Sequence, residues 1–154
     1  MTLEIRPATV GDVAAMRALG VRTWRAAYAG ILSDEAIAAG VAEFWNEYSL
    51  GAAARAGRML VAIDGGALAG LLESDRPSAA HAAIWRVCVA PEAQRTGVGR
   101  ALVERAVAAL DAPEVRVEHD ARDAAAAAFF DRLGFSVFEV DDGIVRRVRR
   151  APPR

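Results

Sequence analysis

A mixed α/β fold, a mixed sheet with helices on both faces, is predicted by three features of the sequence. The first half is rich in hairpin signals. The second half alternates strand-period and helix-period segments, and no linker is long enough to separate domains. The order along the chain reads β-α-α-β-β-β-α-β-α-β-β. It fills one domain over residues 1–154, with 151–154 expected as a frayed tail. A chain of 154 residues can bury a full core, roughly 70% of its unfolded surface.

Each element has a local cause. Leu3-Glu4-Ile5-Arg6 alternates as a first strand, and Thr9-Val10-Gly11-Asp12 is a helix-capping signal, the Thr accepting from the first turn. Val13, Met16, Gly20, Thr23, Trp24 and Ala27 follow at helical spacing until Gly30. Ser33-Asp34-Glu35 caps a second helix, which carries Phe44, Trp45 and Tyr48 and fades between Gly51 and Gly57. Residues 58–64 are a strand, and Asp64-Gly65-Gly66 turns it into the strand Ala67–Glu73. Asp75–His81 reads as a loop and Ala83–Val89 as a strand. Val103, Ala106, Val107 and Leu110 form one stripe of the next helix, ended by Ala112-Pro113. Val115 and Val117 alternate with Arg116 and Glu118 in a strand, and Ala124–Leu133 is helical up to Gly134. Phe135–Val140 and Ile144–Val148 close the chain as a hairpin around Asp141-Asp142-Gly143.

Composition excludes several classes. Mean hydropathy is +0.18 and no apolar run reaches membrane-spanning length. Met1-Thr2-Leu3-Glu4 is not expected to open a signal peptide. One cysteine cannot form an internal disulfide, which suits a reducing cytoplasm. A net charge of −1 creates no global field for nucleic acid or membrane. Two histidines and one cysteine are too few and too scattered for a zinc site, so no metal is expected.

The most informative stretch is Val87-Cys88-Val89-Ala90-Pro91-Glu92-Ala93-Gln94-Arg95-Thr96-Gly97-Val98-Gly99-Arg100. An apolar strand enters a proline turn, then a donor-rich loop, then a helix start with two glycines flanked by Arg95 and Arg100. Glycine lets the backbone approach a ligand closely, and a helix start presents unpaired N–H groups and the positive end of its dipole. Both arginines can add charge-assisted hydrogen bonds to phosphate. A P-loop is excluded, because the chain contains no lysine, and a dinucleotide fingerprint would need a third glycine at Leu102.

Gln94-Arg95-Thr96-Gly97-Val98-Gly99 fits the pattern Gln/Arg-x-x-Gly-x-Gly/Ala, and with its strand and helix it resembles the acyl-CoA motif of the GNAT superfamily of N-acyltransferases. The element order resembles the GNAT fold from end to end, which implies a largely antiparallel central sheet. The resemblance implies acetyl-CoA as co-substrate and a primary amine as acceptor, by direct transfer in a ternary complex. It implies pairing of the pantetheine arm with the backbone of Val87, Cys88 and Val89, the Val89 N–H polarising the thioester carbonyl. The pyrophosphate would rest on Gln94, Arg95, Thr96, Gly97, Val98, Gly99 and Arg100. Paired subunits are common in similar proteins, which makes a homodimer the assembly to test.

Two departures bear on proton chemistry. Many relatives carry a glutamate on the strand before the loop, where this chain reads Ala82-Ala83-Ile84-Trp85-Arg86. Glu73 leads the alternatives for a base, followed by Glu118, His119 and Asp120, and a water chain serves equally. Relatives also pair an Asn with a Tyr seven residues on, which protonates the departing thiolate. The resemblance places cofactor contacts at Asp123 and Phe130, but phenylalanine cannot donate a proton, so the expectation is a competent but slow transferase, or one with Tyr28 or Tyr48 displaced into the acid's role. Trp24 and Tyr28, one turn apart, are candidates for the acceptor pocket. Cys88 reads as a small core side chain, His81 as a loop residue with no partner in view and so solvent-exposed, and Arg146–Arg150 as a solvated edge strand. The alternative functions are a non-catalytic acyl-CoA-binding or sensing module, motivated by the two departures, and nucleic-acid binding through the arginine run and Arg154.

Overall fold

The computed structural model describes residues 2–153. Met1, at the expected leaderless start, and Arg154, last of the arginines, lie outside the described residues. Seven strands form one sheet: β1 (Leu3–Pro7), β2 (Met59–Asp64), β3 (Ala67–Asp75), β4 (Ala82–Val89), β5 (Glu114–Asp120), β6 (Ser136–Asp141) and β7 (Ile144–Arg150). Their order is β1-β2-β3-β4-β5-β7-β6. The pairs β1/β2, β2/β3, β5/β7 and β6/β7 are antiparallel, and β4/β5 is parallel over Ala82–Ile84 and Val115–Val117. The helices are α1 (Val13–Tyr28), α2 (Asp34–Phe44), α3 (Glu47–Arg55), α4 (Val98–Leu110) and α5 (Ala124–Arg132). This is the mixed, mostly antiparallel architecture that the sequence predicts.

Two compact units divide the chain: Met1–Glu73 with Arg86–Val103, and Ser74–Trp85 with Glu104–Arg154. In the first, β1–β3 form an antiparallel meander whose β2–β3 turn follows its sequence signal. Gly65 and Gly66 both take positive φ (57° and 84°), as a two-residue type I′ turn requires. Asp12 accepts two bonds from the Arg6 guanidinium (2.8 and 3.0 Å) and one from the Thr9 N–H (2.8 Å). Thr9 and Asp12 thus form a reciprocal capping box, the Thr9 side chain facing the Asp12 N–H as expected and the Asp12 carboxylate answering the Thr9 N–H. Hydrogen bonding from Arg6 holds the Asp12 carboxyl down to about 2.

The expected second helix is two helices. Trp45 leaves helical geometry (φ −120°, ψ 47°), and the Asn46 side chain then accepts from the Ser49 N–H at 2.8 Å, starting α3. The N-cap signal of Asn46 lay inside an apolar periodic run, and that run masked it. The break serves packing: Trp45 is only 5% exposed and fills the place of a side chain at Gly20. A Cβ on Gly20 would stand 1.9 Å from Trp45 Cε3, and one on Gly40 would stand 2.4 Å from Trp24 Cζ2. Each helix thus lends a glycine to the other's tryptophan. Met16, Leu50, Met59, Val61 and Leu71 complete this core.

In the second unit β7 is paired on both sides, to β5 and β6, so the arginine run is not an edge strand as expected. The edge is β6, exposed along its length. Arg147 is buried, donating to His119 Nε2 (3.0 Å) and to the Phe135 carbonyl (2.9 Å). Arg149 makes a fork with Glu104 (2.7 and 3.0 Å), and Arg146 faces Glu118, Glu139 and Asp141. Strand alternation alone could not reveal these partners, which come from distant segments. Asp142 and Gly143 (φ 49° and 76°) form the second type I′ turn, between β6 and β7. Past β7, the Ala151 N–H donates to the Pro113 carbonyl at 2.8 Å.

Gly20→Ala is expected to destabilise the protein by about 1–3 kcal/mol, the usual cost of overpacking a well-filled core. Urea unfolding followed by circular dichroism measures it; an unchanged midpoint would mean that Trp45 moves aside freely.

Candidate active site

In the first unit β4 ends at Val89 and a 3-10 turn over Pro91–Ala93 leads into the loop before α4. The Gln94 amide donates back to the Val89 carbonyl at 3.3 Å, and the Thr96 hydroxyl donates to the Ala93 carbonyl. Arg95 has φ 65° and Gly97 φ 89°. Left-handed geometry is ordinary for glycine but costs a long side chain free energy, and such strain clusters at functional loops. Residues of this kind turn neighbouring N–H groups toward one side, forming a nest for anions. A Cβ on Gly97 would meet nothing within 4 Å, so the backbone there borders open space. Gln94 through Gly97 and Arg100 are exposed, while Val98 anchors the helix start in the core. Ala101 is the residue whose N–H bonds back to the Gly97 carbonyl (3.0 Å), so the N–H groups of Val98, Gly99 and Arg100 have no intrahelical acceptor. The geometry suits a diphosphate.

Val87, Cys88 and Val89 are partly exposed along β4. Burial pushes the Cys88 thiol up to about 12, with the Thr23 hydroxyl and the Arg86 charge pulling the other way. A thiol held neutral is no nucleophile at neutral pH. Below Cys88, β3 comes so close that a Cβ on Gly70 would be 3.0 Å from the Cys88 carbonyl oxygen.

Next to these residues stands a charged and aromatic cluster. Arg86 Nε donates to Glu73 Oε1 at 2.6 Å, and its Nη1 donates to the Phe44 carbonyl at the end of α2. Its guanidinium lies 5.2 Å over the Trp45 ring. Arg58 Nε reaches the other Glu73 oxygen at 3.5 Å. Glu73, the leading base of the sequence reading, is thus buried between two guanidinium groups. Tyr28 lies 4.5 Å from Trp24 between ring centroids, and Trp24 lies 5.6 Å from Phe44. Tyr48, by contrast, is 83% exposed on α3.

In the second unit Asp123 caps α5, accepting from the Ala126 N–H at 3.0 Å. Phe130 is buried, packed edge-on against Phe129 and Phe135 and stacked with His119 at 6.3 Å. Both ring nitrogens of His119 are engaged, Nδ1 with the Asp120 carbonyl (2.9 Å) and Nε2 with Arg147. Asp120 is held below its ordinary value by hydrogen bonds from Arg122. Trp85 is exposed, and His81 pairs with the Ser78 hydroxyl at 3.1 Å, so the expected partnerless histidine has a partner.

Residues 55–137, more than half of the chain, match the family model of the acetyltransferase (GNAT) domain. The chain belongs to the GNAT family. It is an acyltransferase that depends on acetyl-CoA. Solved structures agree on the GNAT fold. The PaiA N-acetyltransferase from Thermoplasma acidophilum, in complex with coenzyme A, is 21% identical with a TM-score of 0.93, over 98% of this chain and 100% of that one. A GCN5-related N-acetyltransferase from Rhodopseudomonas palustris is 21% identical (TM-score 0.79, 98% and 97% covered). An acetyltransferase from Thermus thermophilus is 20% identical (TM-score 0.76, 98% of each). No curated protein matches the sequence. Among the described residues no helix is long and apolar enough to cross a membrane.

Sequence reading missed the joining of Arg58, Glu73 and Arg86. The only signal for it was a charge, Arg86, inside an otherwise apolar strand.

The neutral Cys88 thiol has a measurable consequence. Its folded value lies above the ordinary 9.0, so its contribution to stability is complete below pH 9 and is lost as pH rises toward 12. Native protein at pH 8 is expected to resist a thiol-reactive disulfide reagent and to react on unfolding; rapid native labelling would contradict this.

Proposed function

We propose that this chain transfers the acetyl group of acetyl-CoA to the nitrogen of a primary amine, directly, in a ternary complex. The observation that carries the donor half is the left-handed pair Arg95 and Gly97 opening an exposed loop at the start of α4. The coenzyme A bound to the Thermoplasma relative supports the same reading. Gln94–Arg100 receive the diphosphate. Val87–Val89 pair with the pantetheine arm, and the Val89 N–H polarises the thioester carbonyl. Asp123 and Phe130 are the remaining cofactor positions carried over from the family. The amine nitrogen attacks the carbonyl carbon, the C–S bond breaks, and the products are an N-acetyl amine and the CoA thiol.

Both Glu73 oxygens face guanidinium groups, so we assign amine deprotonation to solvent water and give Glu73 the task of holding Arg86. No acid replaces the absent tyrosine. A thiol of pKa about 8.5 leaves tolerably as thiolate near neutral pH, and general acid help is typically worth about 10²–10⁴-fold. This makes the enzyme competent and slow, with Tyr28 lining the acceptor pocket beside Trp24. The pairing of Arg146, Arg147 and Arg149 within the fold argues against a nucleic-acid role for the arginine run. A match that draws on both units supports one acetyltransferase domain, and the single cysteine supports a cytoplasmic setting. A homodimer is the proposed assembly, on family habit alone.

An acetyl-CoA-dependent assay over a panel of amines and peptides, with product masses recorded, tests the reading. Acetylated amine is expected, and Gly97→Val is expected to raise the KM for acetyl-CoA about tenfold or more, as one lost charge-assisted hydrogen bond would. Bound cofactor with no product from any amine would favour a binding module instead. For Glu73→Gln the expected result is a lower melting temperature with the pH dependence of kcat/KM unchanged. Loss of the acidic limb of that profile would make Glu73 the base.

A further inference from the structure

The sheet of the second unit has both of that unit's helices on one face. Between β5 and β7 the register pairs Val115 with Arg149, Val117 with Arg147 and His119 with Val145. On their face Arg149 meets Glu104 of α4, and Arg147 and His119 meet Asp131 and Phe130 of α5. The opposite face carries Ala83 paired with Arg116, and Glu118 paired with Arg146. Side chains alternate along a strand, so Trp85 shares the face of Ala83. Phe138 is the extra residue of a bulge between Val137 and Glu139, and its ring turns onto the same face, 5.4 Å from the Arg116 guanidinium. Trp85 is 55% exposed there and Phe138 45%.

The two aromatics border a hollow of about 270 Å³, floored by Arg116, Glu118, Glu139 and Arg146. It lies below the roughly 300–1,000 Å³ of small-molecule pockets and suits one protruding side chain. Charge then decides the partner. Arg116 pairs with Glu114, and Arg146 faces Glu118 and Glu139, so cations and anions balance across the face. Such a face draws neither a polyanion nor a polycation, and it does not repel its own copy. The patch also holds both halves of a contact, a protruding tryptophan and a hollow of matching size. Under a two-fold axis each copy's tryptophan meets the other's hollow, as a self-complementary interface requires. Strand addition at the β6 edge is opposed by the bulge and by the charges of Glu139 and Asp141.

We propose that this open face of the second unit docks a second copy of the chain, face to face about a two-fold axis, with Trp85 and Phe138 as anchors. This rests on the homodimer proposed above and adds its surface. Aromatic and arginine side chains are those that interfaces favour, and the arginines here are already paired within their own chain.

Sedimentation velocity and acrylamide quenching of tryptophan emission, both across a range of protein concentrations, test it. Wild-type protein is expected to dimerise, and quenching to fall as the dimer forms. Trp24 and Trp45 are packed against glycines, so Trp85 is the reporter of the three tryptophans. The fall in quenching should vanish in Trp85→Phe, which keeps an aromatic anchor. Trp85→Ser and Phe138→Ser should each raise the dimer Kd about thirtyfold or more, the effect of losing a hot-spot side chain, with circular dichroism unchanged. Val10→Ser, at an exposed apolar site of the first unit, should dimerise as wild type does. A monomer at every concentration would overturn both the surface and the homodimer. A dimer that survives both serine variants unchanged, or quenching that still falls in Trp85→Phe, would overturn the surface alone and leave the homodimer standing.

Discussion

Arg86 ties three separate parts of the first unit together. Its guanidinium bonds to Glu73 on β3, to the last carbonyl of α2, and lies over Trp45 at the α2–α3 break. The carbonyls at a helix end lack intrahelical donors, and a cation there also meets the negative end of the dipole. A single side chain therefore ends a helix, neutralises a buried carboxylate and covers an aromatic ring. The cost is the desolvation of two charges, which excellent geometry and extra hydrogen bonds must offset. Removing either partner would leave an uncompensated charge in the interior.

Beneath Arg86 the interlock of tryptophans and glycines fixes how α1 meets α2. Trp24 lies against Gly40, and Trp45 lies against Gly20. Glycine inside a helix sacrifices roughly 0.5–1 kcal/mol relative to alanine, a cost that two large aromatic burials exceed. Both indole nitrogens are buried without a hydrogen-bond partner, a further penalty. Packing wins here over polar satisfaction. The result is a close approach of α1 and α2, with the Tyr28 and Phe44 rings 4.5 and 5.6 Å from that of Trp24.

Legibility in the sequence followed the range of the interactions. Both type I′ turns, the α4 stripe and the glycine loop that opens α4 are local codes, in which a few adjacent residues dictate backbone geometry, and all were readable. The Asn46 cap was hidden because apolar periodicity ran through it and only tertiary packing of Trp45 required a break. Arg147 looked like a surface charge because its partners, His119 and the Phe135 carbonyl, come from other strands and loops. The expected lone His81 failed for a smaller reason, a serine three residues away. Charges paired over long sequence distances leave no periodic trace.

The same difference of range separates the two halves of the proposed reaction. Donor recognition is written in backbone geometry: left-handed Arg95 and Gly97, unpaired N–H groups at the start of α4, and an exposed strand edge at Val87–Val89. Backbone donors tolerate almost any side chain, so a site of this kind depends little on overall sequence. Proton handling depends instead on single side chains brought together from distant segments. The strand Ala82–Arg86 holds no carboxylate, and Glu73 on β3 has both oxygens engaged by arginines. A carboxylate held in that way by two cations is a poor acceptor for a proton from a third, so the proposed transfer is left to water and to the intrinsic leaving ability of a thiolate.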